Sequence, residues 1–129
     1  MRDGRASNVP RGPRGVLRAA RWSLRGLAAA WRYEASFRLE VCVAAVLLPL
    51  GVWLGQSPVE RVLLTGTVLL VLTVELLNSA IETVIERFDP GFHVLAGRAK
   101  DLASAAVFAA MLNVAACWLL LLLPRWLGT

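Results

Sequence analysis

Four polar residues recur along one face of a long apolar stretch that runs from residue 62 to 85 and ends just before the last of them. They are Glu75, Asn78, Glu82 and Glu86, at spacings of three, four and four residues. Such spacing places all four on the same side of a helix. Inserting a carboxylate at the centre of a bilayer costs about 2.5–3.5 kcal/mol of free energy. Ionisable residues found at that depth are therefore usually functional. The row therefore indicates an active site inside a membrane protein.

The spacing within this row favours a division of roles. Glu75 and Glu82 are seven residues apart, about 10.5 Å along a helix, too far for both to hold one ion. One glutamate could bind a hard cation through oxygen while the deeper one acts as a base. Arg98 and Lys100 could neutralise phosphate oxygens. These parts fit phosphoryl transfer to a lipid hydroxyl, although the Walker and Gly-rich kinase motifs are absent. A proton or ion pathway and a structural bundle stay open as alternatives.

Three apolar stretches must position these residues. The chain has 129 residues, of which 57% are hydrophobic, more than the roughly 45–50% of soluble domains. A membrane span needs about 20 mostly apolar residues. We predict an all-α membrane protein with spans at about 36–55, 62–87 and 101–123. Pro49 lies inside the first span, where neighbouring helices can accommodate it.

A segment before the first span, at about residues 16–33, has two parallel rows of side chains. Leu17, Ala20, Leu24, Leu27 and Trp31 form an apolar row, and arginines form a second row beside it. This pattern predicts an amphipathic helix that lies on the membrane surface, with a core helix as the alternative. Residues 1–15 are rich in arginine, glycine and proline, and we expect them to be disordered.

The basic residues also predict the orientation of the chain. Nine of the fourteen lysines and arginines lie at or before residue 38, ahead of the apolar part of the first span. The positive-inside rule then places the N-terminus in the cytoplasm and the C-terminus outside. Because these arginines adjoin a membrane anchor, we expect no nucleic-acid partner. Cys42 and Cys117 lie in apolar spans and are expected to be buried small residues, not metal ligands.

Three sequence blocks resemble a known family. They are EASFRLE at 34–40, VELLNSAIE at 74–82 and GRAKD at 97–101. In this order and spacing they are similar to the bacterial integral-membrane diacylglycerol kinases, and the resemblance covers about residues 16–125 as one membrane domain. It implies a homotrimer in the bacterial cytoplasmic (inner) membrane that uses ATP and Mg²⁺ to phosphorylate diacylglycerol. An undecaprenol kinase, a related activity of the family, stays open.

The resemblance also implies the roles of individual residues. Glu75 would be the general base, supported by Asn78, and Glu34 and Glu82 would hold the divalent cation. The residues implied at the nucleotide are Trp22, Glu34, Glu82, Gly91, Phe92, His93, Lys100 and Asp101. Those implied along the lipid substrate are Ala20, Ser23, Trp31, Ser36, Phe37, Arg38, Glu40, Glu75, Ser104 and Trp118. The chain departs from the family pattern at Gly15, Trp22 and Val94.

The third span predicts self-association. Its small residues are Ala103, Ala105, Ala106, Ala109 and Ala110, a surface that permits close helix approach. Three helices alone cannot shield a row of carboxylates from lipid, so further copies of the chain are expected around it. The number three comes only from the resemblance.

Overall fold

The computed structural model of the protein describes residues 12–87 and 94–128. They form four α-helices: α1 (Pro13–Tyr33), α2 (Ala35–Leu54), α3 (Pro58–Ile85) and α4 (Val94–Trp126). The last three are long and apolar enough to cross a membrane. The prediction of an all-α membrane protein with three spans is confirmed.

Three helix starts differ from the predicted bounds. α3 begins at Pro58, four residues before the predicted start, because Ser57 caps it and proline suits the first turn. α1 begins at Pro13, earlier than predicted, because the fixed φ of proline suits the first helical position. Residues 13–15 are therefore helical, contrary to the expected disorder, and the rest of the predicted disordered segment up to residue 11 lies outside the described residues. α4 begins at Val94, seven residues before the predicted start, because the polar stretch 97–101 is helical without being apolar.

α1 and α2 meet at a one-residue corner. Glu34 has extended backbone angles (φ −112°, ψ 105°) and donates its N–H to the Ala30 carbonyl at 2.9 Å. The Arg38 guanidinium donates to the carbonyls of Trp31 and Arg32 at 2.8 and 3.2 Å. It thereby satisfies the last acceptors of α1, which the helix itself leaves open. The corner fixes Glu34 between the two helices.

The core of the bundle is small and lies around α3, which packs on α2 and α4. Leu64 of α3 is fully buried, and Gly51 of α2 packs against it so closely that an added Cβ would lie 3.2 Å from the Leu64 Cβ. In α4, Ala103 and Ala110 are the buried residues among those described. The outer faces of the helices are therefore apolar and open to lipid or to other copies of the chain.

Polar contacts close the end of the bundle where α2 turns into α3, here called the turn end. Ser57 caps α3 by accepting from the Glu60 N–H at 3.2 Å. Arg125 of α4 pairs with the Glu60 carboxylate and donates to the Leu54 carbonyl at 3.1 Å. The Trp118 indole N–H donates to the Leu64 carbonyl at 3.0 Å. These contacts tie all three long helices together at one end.

Candidate active site

Glu75 is held by α2. Its side chain is buried, with 4% of the residue exposed, in the half of α3 away from the turn end. The Ser36 hydroxyl, on the first turn of α2, donates to Glu75 Oε1 at 2.8 Å. Phe37, the next residue, is equally buried. The start of α2 thus orients the carboxylate, and the structure brings together Ser36 and Glu75, two of the residues expected in the site.

Four carboxylates form what we call the acidic end, where Glu34 is close enough to Glu75, Glu82 and Glu86 for their charges to interact. Burial raises the pKa of Glu34 above its usual value of 4.5, and the negative charges of Glu82, Glu75 and Glu86 raise it further. Like charges gathered in this way disfavour ionisation of one another. A cation at the acidic end would relieve this repulsion.

The donor set of the acidic end fits a cation that arrives with a phosphate ligand. Within residues 12–87 and 94–128, no three His, Cys, Asp or Glu side chains form a complete metal centre. Mg²⁺ typically takes only one or two carboxylates from the protein and completes its coordination with substrate phosphates and water. Glu34 and Glu82 match that requirement in type and charge.

A small cavity between α3 and α4 holds a lysine beside two of these carboxylates. It has a volume of about 140 Å³ and is lined by Glu82, Glu86, Gly97 and Lys100, among others. The structure thus places Lys100 with Glu82, as expected for residues that share a nucleotide. Asp101 is exposed and does not line this cavity. The predicted residues Gly91, Phe92 and His93 lie outside the described residues.

A larger cavity of about 770 Å³ lies between α1 and α3, and we call it the α1–α3 cavity. Ser23, Leu27 and Ala30 line it from α1, and Glu34 lines it at the corner. The side from α3 consists of Leu76, Ser79, Ala80 and Thr83. Its walls are mostly apolar, as a lipid requires. Of the other predicted residues on α1, Ala20, Trp22 and Trp31 are exposed and lie outside its lining.

Three residues predicted to contact the lipid lie elsewhere. Glu40 lines a separate apolar cavity of about 270 Å³ between α2, α3 and α4, close enough to Glu75 for their charges to interact. Ser104 is exposed on α4. The Trp118 indole is hydrogen-bonded to the backbone carbonyl of Leu64. Leu64 precedes Glu75 by eleven residues, about 16.5 Å along α3, so Trp118 lies away from Glu75. Contact of these residues with a substrate stays a prediction.

Asn78 and Ser79 complete the site. Asn78 Oδ1 and Ser79 Oγ are buried, and neither has a hydrogen-bond partner in the part of the chain that the structure describes. Asn78 was predicted to support Glu75, but Ser79 was not singled out. Its position four residues after Glu75 was the available signal, since that spacing puts it on the same face of α3.

Comparisons with known proteins identify the family of this chain. The family model described as Prokaryotic diacylglycerol kinase matches residues 21–122. A protein named Diacylglycerol kinase from Haemophilus influenzae is 44% identical over 103 residues, covering 80% of this chain and 87% of the relative. Proteins of the same name from Escherichia coli K12 and Pseudomonas aeruginosa are each 44% identical, over 107 and 108 residues, and cover 83% and 84% of this chain and 88% of each relative. The chain therefore belongs to the prokaryotic diacylglycerol kinase family, a family of lipid kinases.

Proposed function

We propose that this protein transfers the γ-phosphoryl group of ATP to the free hydroxyl of 1,2-diacylglycerol and so forms phosphatidic acid. The observation that carries the proposal is the buried Glu75 carboxylate, which is held by Ser36 and is followed on α3 by Leu76 and Ser79, two residues that line an apolar cavity. The relatives named Diacylglycerol kinase support the same reaction.

Glu75 acts as the general base. Its carboxylate accepts the proton of the lipid hydroxyl as the hydroxyl oxygen attacks the γ-phosphorus, and the bond to the bridging oxygen of ADP breaks. The Ser36 hydrogen bond fixes the carboxylate for this step. Asn78, three residues further on, orients Glu75 or its substrate through its side-chain amide.

Glu34 and Glu82 hold a divalent cation, Mg²⁺ in our proposal. When bound, that cation neutralises charge on the ATP phosphates. Lys100 and Asp101 contact the nucleotide, together with Trp22 and the segment Gly91–His93. The lipid reaches Glu75 along α1 and the start of α2, past Ser23, Trp31, Ser36, Phe37 and Arg38.

The reaction takes place at the cytoplasmic face of the bacterial inner membrane. Support comes from the charge distribution, because the positive-inside rule favours a cytoplasmic position for the basic segment ahead of the first span. α1 carries exposed arginines and no acidic residue, which suits a helix lying among lipid phosphates. The C-terminus is external, and the protein works as a homotrimer.

The proposal is tested by measuring phosphate transfer from labelled ATP in mixed micelles with magnesium. Diacylglycerol and undecaprenol are offered in parallel to the full chain. Labelled phosphatidic acid is the expected product. Transfer to undecaprenol alone would instead identify an undecaprenol kinase. If phosphate is transferred to neither lipid and the protein carries protons or ions across vesicle membranes, the kinase proposal is wrong and the protein is an intramembrane ion pathway.

A further inference from the structure

One buried hydroxyl lies where the α1–α3 cavity meets the acidic end. Ser79 lines that cavity, and only 8% of the residue is exposed. Its Oγ has no hydrogen-bond partner among the described residues. Burying a hydroxyl without a partner is unfavourable, and buried polar groups in folded proteins nearly always have one. The hydroxyl of Ser79 therefore calls for a partner from outside the described residues.

Most of the other hydroxyls on the helices are bonded to their own helix, unlike that of Ser79. Serine and threonine within a helix commonly donate to the carbonyl four residues earlier. Ser23, Thr73 and Thr83 do so, at 2.8–2.9 Å. Ser79 does not, although the Glu75 carbonyl stands at the corresponding position. Its Oγ is thus free to bind a molecule in the cavity.

The position of Ser79 indicates which part of that molecule it would meet. Ser79 follows Glu75 by one turn on the same face of α3, so the two Cβ atoms are about 5–6 Å apart. Leu27, Ala30 and Leu76 give the cavity apolar walls suited to an acyl chain. A lipid whose hydroxyl reaches Glu75 from this cavity must therefore pass Ser79.

The chemistry of the lipid supplies the missing partner. In a diacylglycerol, the acceptor hydroxyl and the nearest ester oxygen are on neighbouring carbons, so a second oxygen accompanies the hydroxyl to the site. A polyisoprenol has one oxygen only, and that oxygen is the acceptor itself. Ser79 Oγ would then stay unpaired.

We propose that Ser79 determines lipid specificity. Its hydroxyl donates a hydrogen bond to the ester group beside the acceptor hydroxyl, so the site prefers glycerolipids to polyisoprenols. This inference rests on the proposed function and names the substrate group that the site recognises. A site built to hydrogen-bond one group discriminates against analogues that lack it, because its own polar atom is left buried and unpaired.

The test compares kcat/KM for dioleoylglycerol and for undecaprenol at equal mole fractions in mixed micelles. The proteins are the full wild-type chain, Ser79→Ala, Ser79→Thr and Thr73→Val. Thr73→Val is the matched control, since it removes an exposed α3 hydroxyl that is bonded to its own helix and lies outside the cavity. Loss of one hydrogen bond predicts that Ser79→Ala lowers kcat/KM for dioleoylglycerol about five- to tenfold.

The two lipids separate specificity from general damage. Ser79→Ala is expected to keep or raise any activity on undecaprenol, because no buried hydroxyl is then left unpaired, and that activity also shows that the variant is folded. Ser79→Thr, which keeps a hydroxyl, and Thr73→Val are expected to behave as the wild type. The inference is overturned if Ser79→Ala retains wild-type activity on dioleoylglycerol, if both lipids lose activity together, or if Thr73→Val shows the same loss. A wild type inactive on dioleoylglycerol overturns the proposed function itself.

Discussion

At the scale of single residues, the Ser36–Glu75 hydrogen bond is the contact on which catalysis depends most. We expect Ser36→Ala to lower kcat about tenfold, because a hydrogen bond to a charged group is worth about 1.5–3 kcal/mol. The KM for ATP should change little, since Ser36 lies on the lipid side of Glu75. Steady-state kinetics in mixed micelles measure both. Thr65→Val removes a hydroxyl bonded to Arg61 near the turn end and is the control. An unchanged kcat in Ser36→Ala would contradict this role.

The raised pKa of Glu34 predicts that the stability of the folded protein depends on pH. Its pKa in the folded protein is raised above 4.5 by burial and by neighbouring carboxylates. The folded state therefore binds its proton more tightly than the unfolded state, and stability falls as pH rises above 4.5 through the folded pKa. Without divalent cations, Glu34→Gln should be more stable than wild type at neutral pH, and the difference should shrink toward pH 4.5. Thermal unfolding in chelator tests this, and a difference independent of pH would contradict it.

The sequence predicted part of this site and could not predict the rest. Helical spacing was enough to put Glu75 and Glu82 on one face of α3. It could not pair Ser36 with Glu75, because they are 39 positions apart on different helices. Only the resemblance to a family placed them in one site. The unpartnered hydroxyl of Ser79 depends on how α1 packs against α3, and no local pattern encodes that packing.

At the scale of helices, apolar length predicted the three spans well because hydropathy reports directly on burial in lipid. It missed the first turns of α4, where Gly97 and Lys100 are helical but lie beyond the apolar part. It also gave no sign of the contacts at the turn end. Glu60 and Arg125 are 65 positions apart in the sequence and lie on different helices. Whether they meet depends on the lengths of α3 and α4.

The tight α2–α3 turn makes Gly55 sensitive to substitution. A Cβ on Gly55 would lie 2.5 Å from Arg61 Cγ and 3.0 Å from the Arg61 backbone nitrogen. We expect Gly55→Ala to destabilise the fold by about 1–3 kcal/mol, the usual cost of overpacking. Because the turn is far from Glu75, kcat of the folded fraction should stay near wild type.

Gly66→Ala is the control for this substitution. Its added Cβ would meet nothing within 4 Å in this chain. An alanine in a helix interior is favoured over glycine by about 0.5–1 kcal/mol. In thermal unfolding, the Tm of Gly66→Ala should therefore equal or exceed that of the wild type, and the Tm of Gly55→Ala should be lower. Equal stability of the two variants would contradict the steric account.

At the scale of the whole molecule, the single chain leaves its largest helix poorly covered. α4 buries Ala103 and Ala110 and exposes large apolar residues such as Phe108 and Leu112. Lipid can cover such a surface, but it cannot shield the acidic end. Neighbouring copies in the proposed homotrimer would do both, and we expect the exposed Asp101 of one protomer to serve the site of another.

Mixed oligomers test which residues share a site. Glu34 and Glu75 interact within one chain, so mixing Glu34→Gln with Glu75→Gln protomers should restore no activity. Mixing Glu75→Gln with Asp101→Asn should restore a measurable fraction, because one combined site can then be complete. Activity is measured after co-refolding in micelles. Rescue of the first pair, or failure of the second, would contradict this arrangement.

The most direct test of the account is the kinase activity of Glu75→Gln. The substitution keeps the shape of the side chain and its capacity to accept from Ser36 but removes the base. Glu60→Gln makes the same chemical change on the same helix at the turn end. We predict that Glu75→Gln loses at least about a hundredfold in transfer to diacylglycerol, within the usual range for general-base catalysis, while Glu60→Gln stays active and both remain folded. Substantial activity in Glu75→Gln would contradict the central claim.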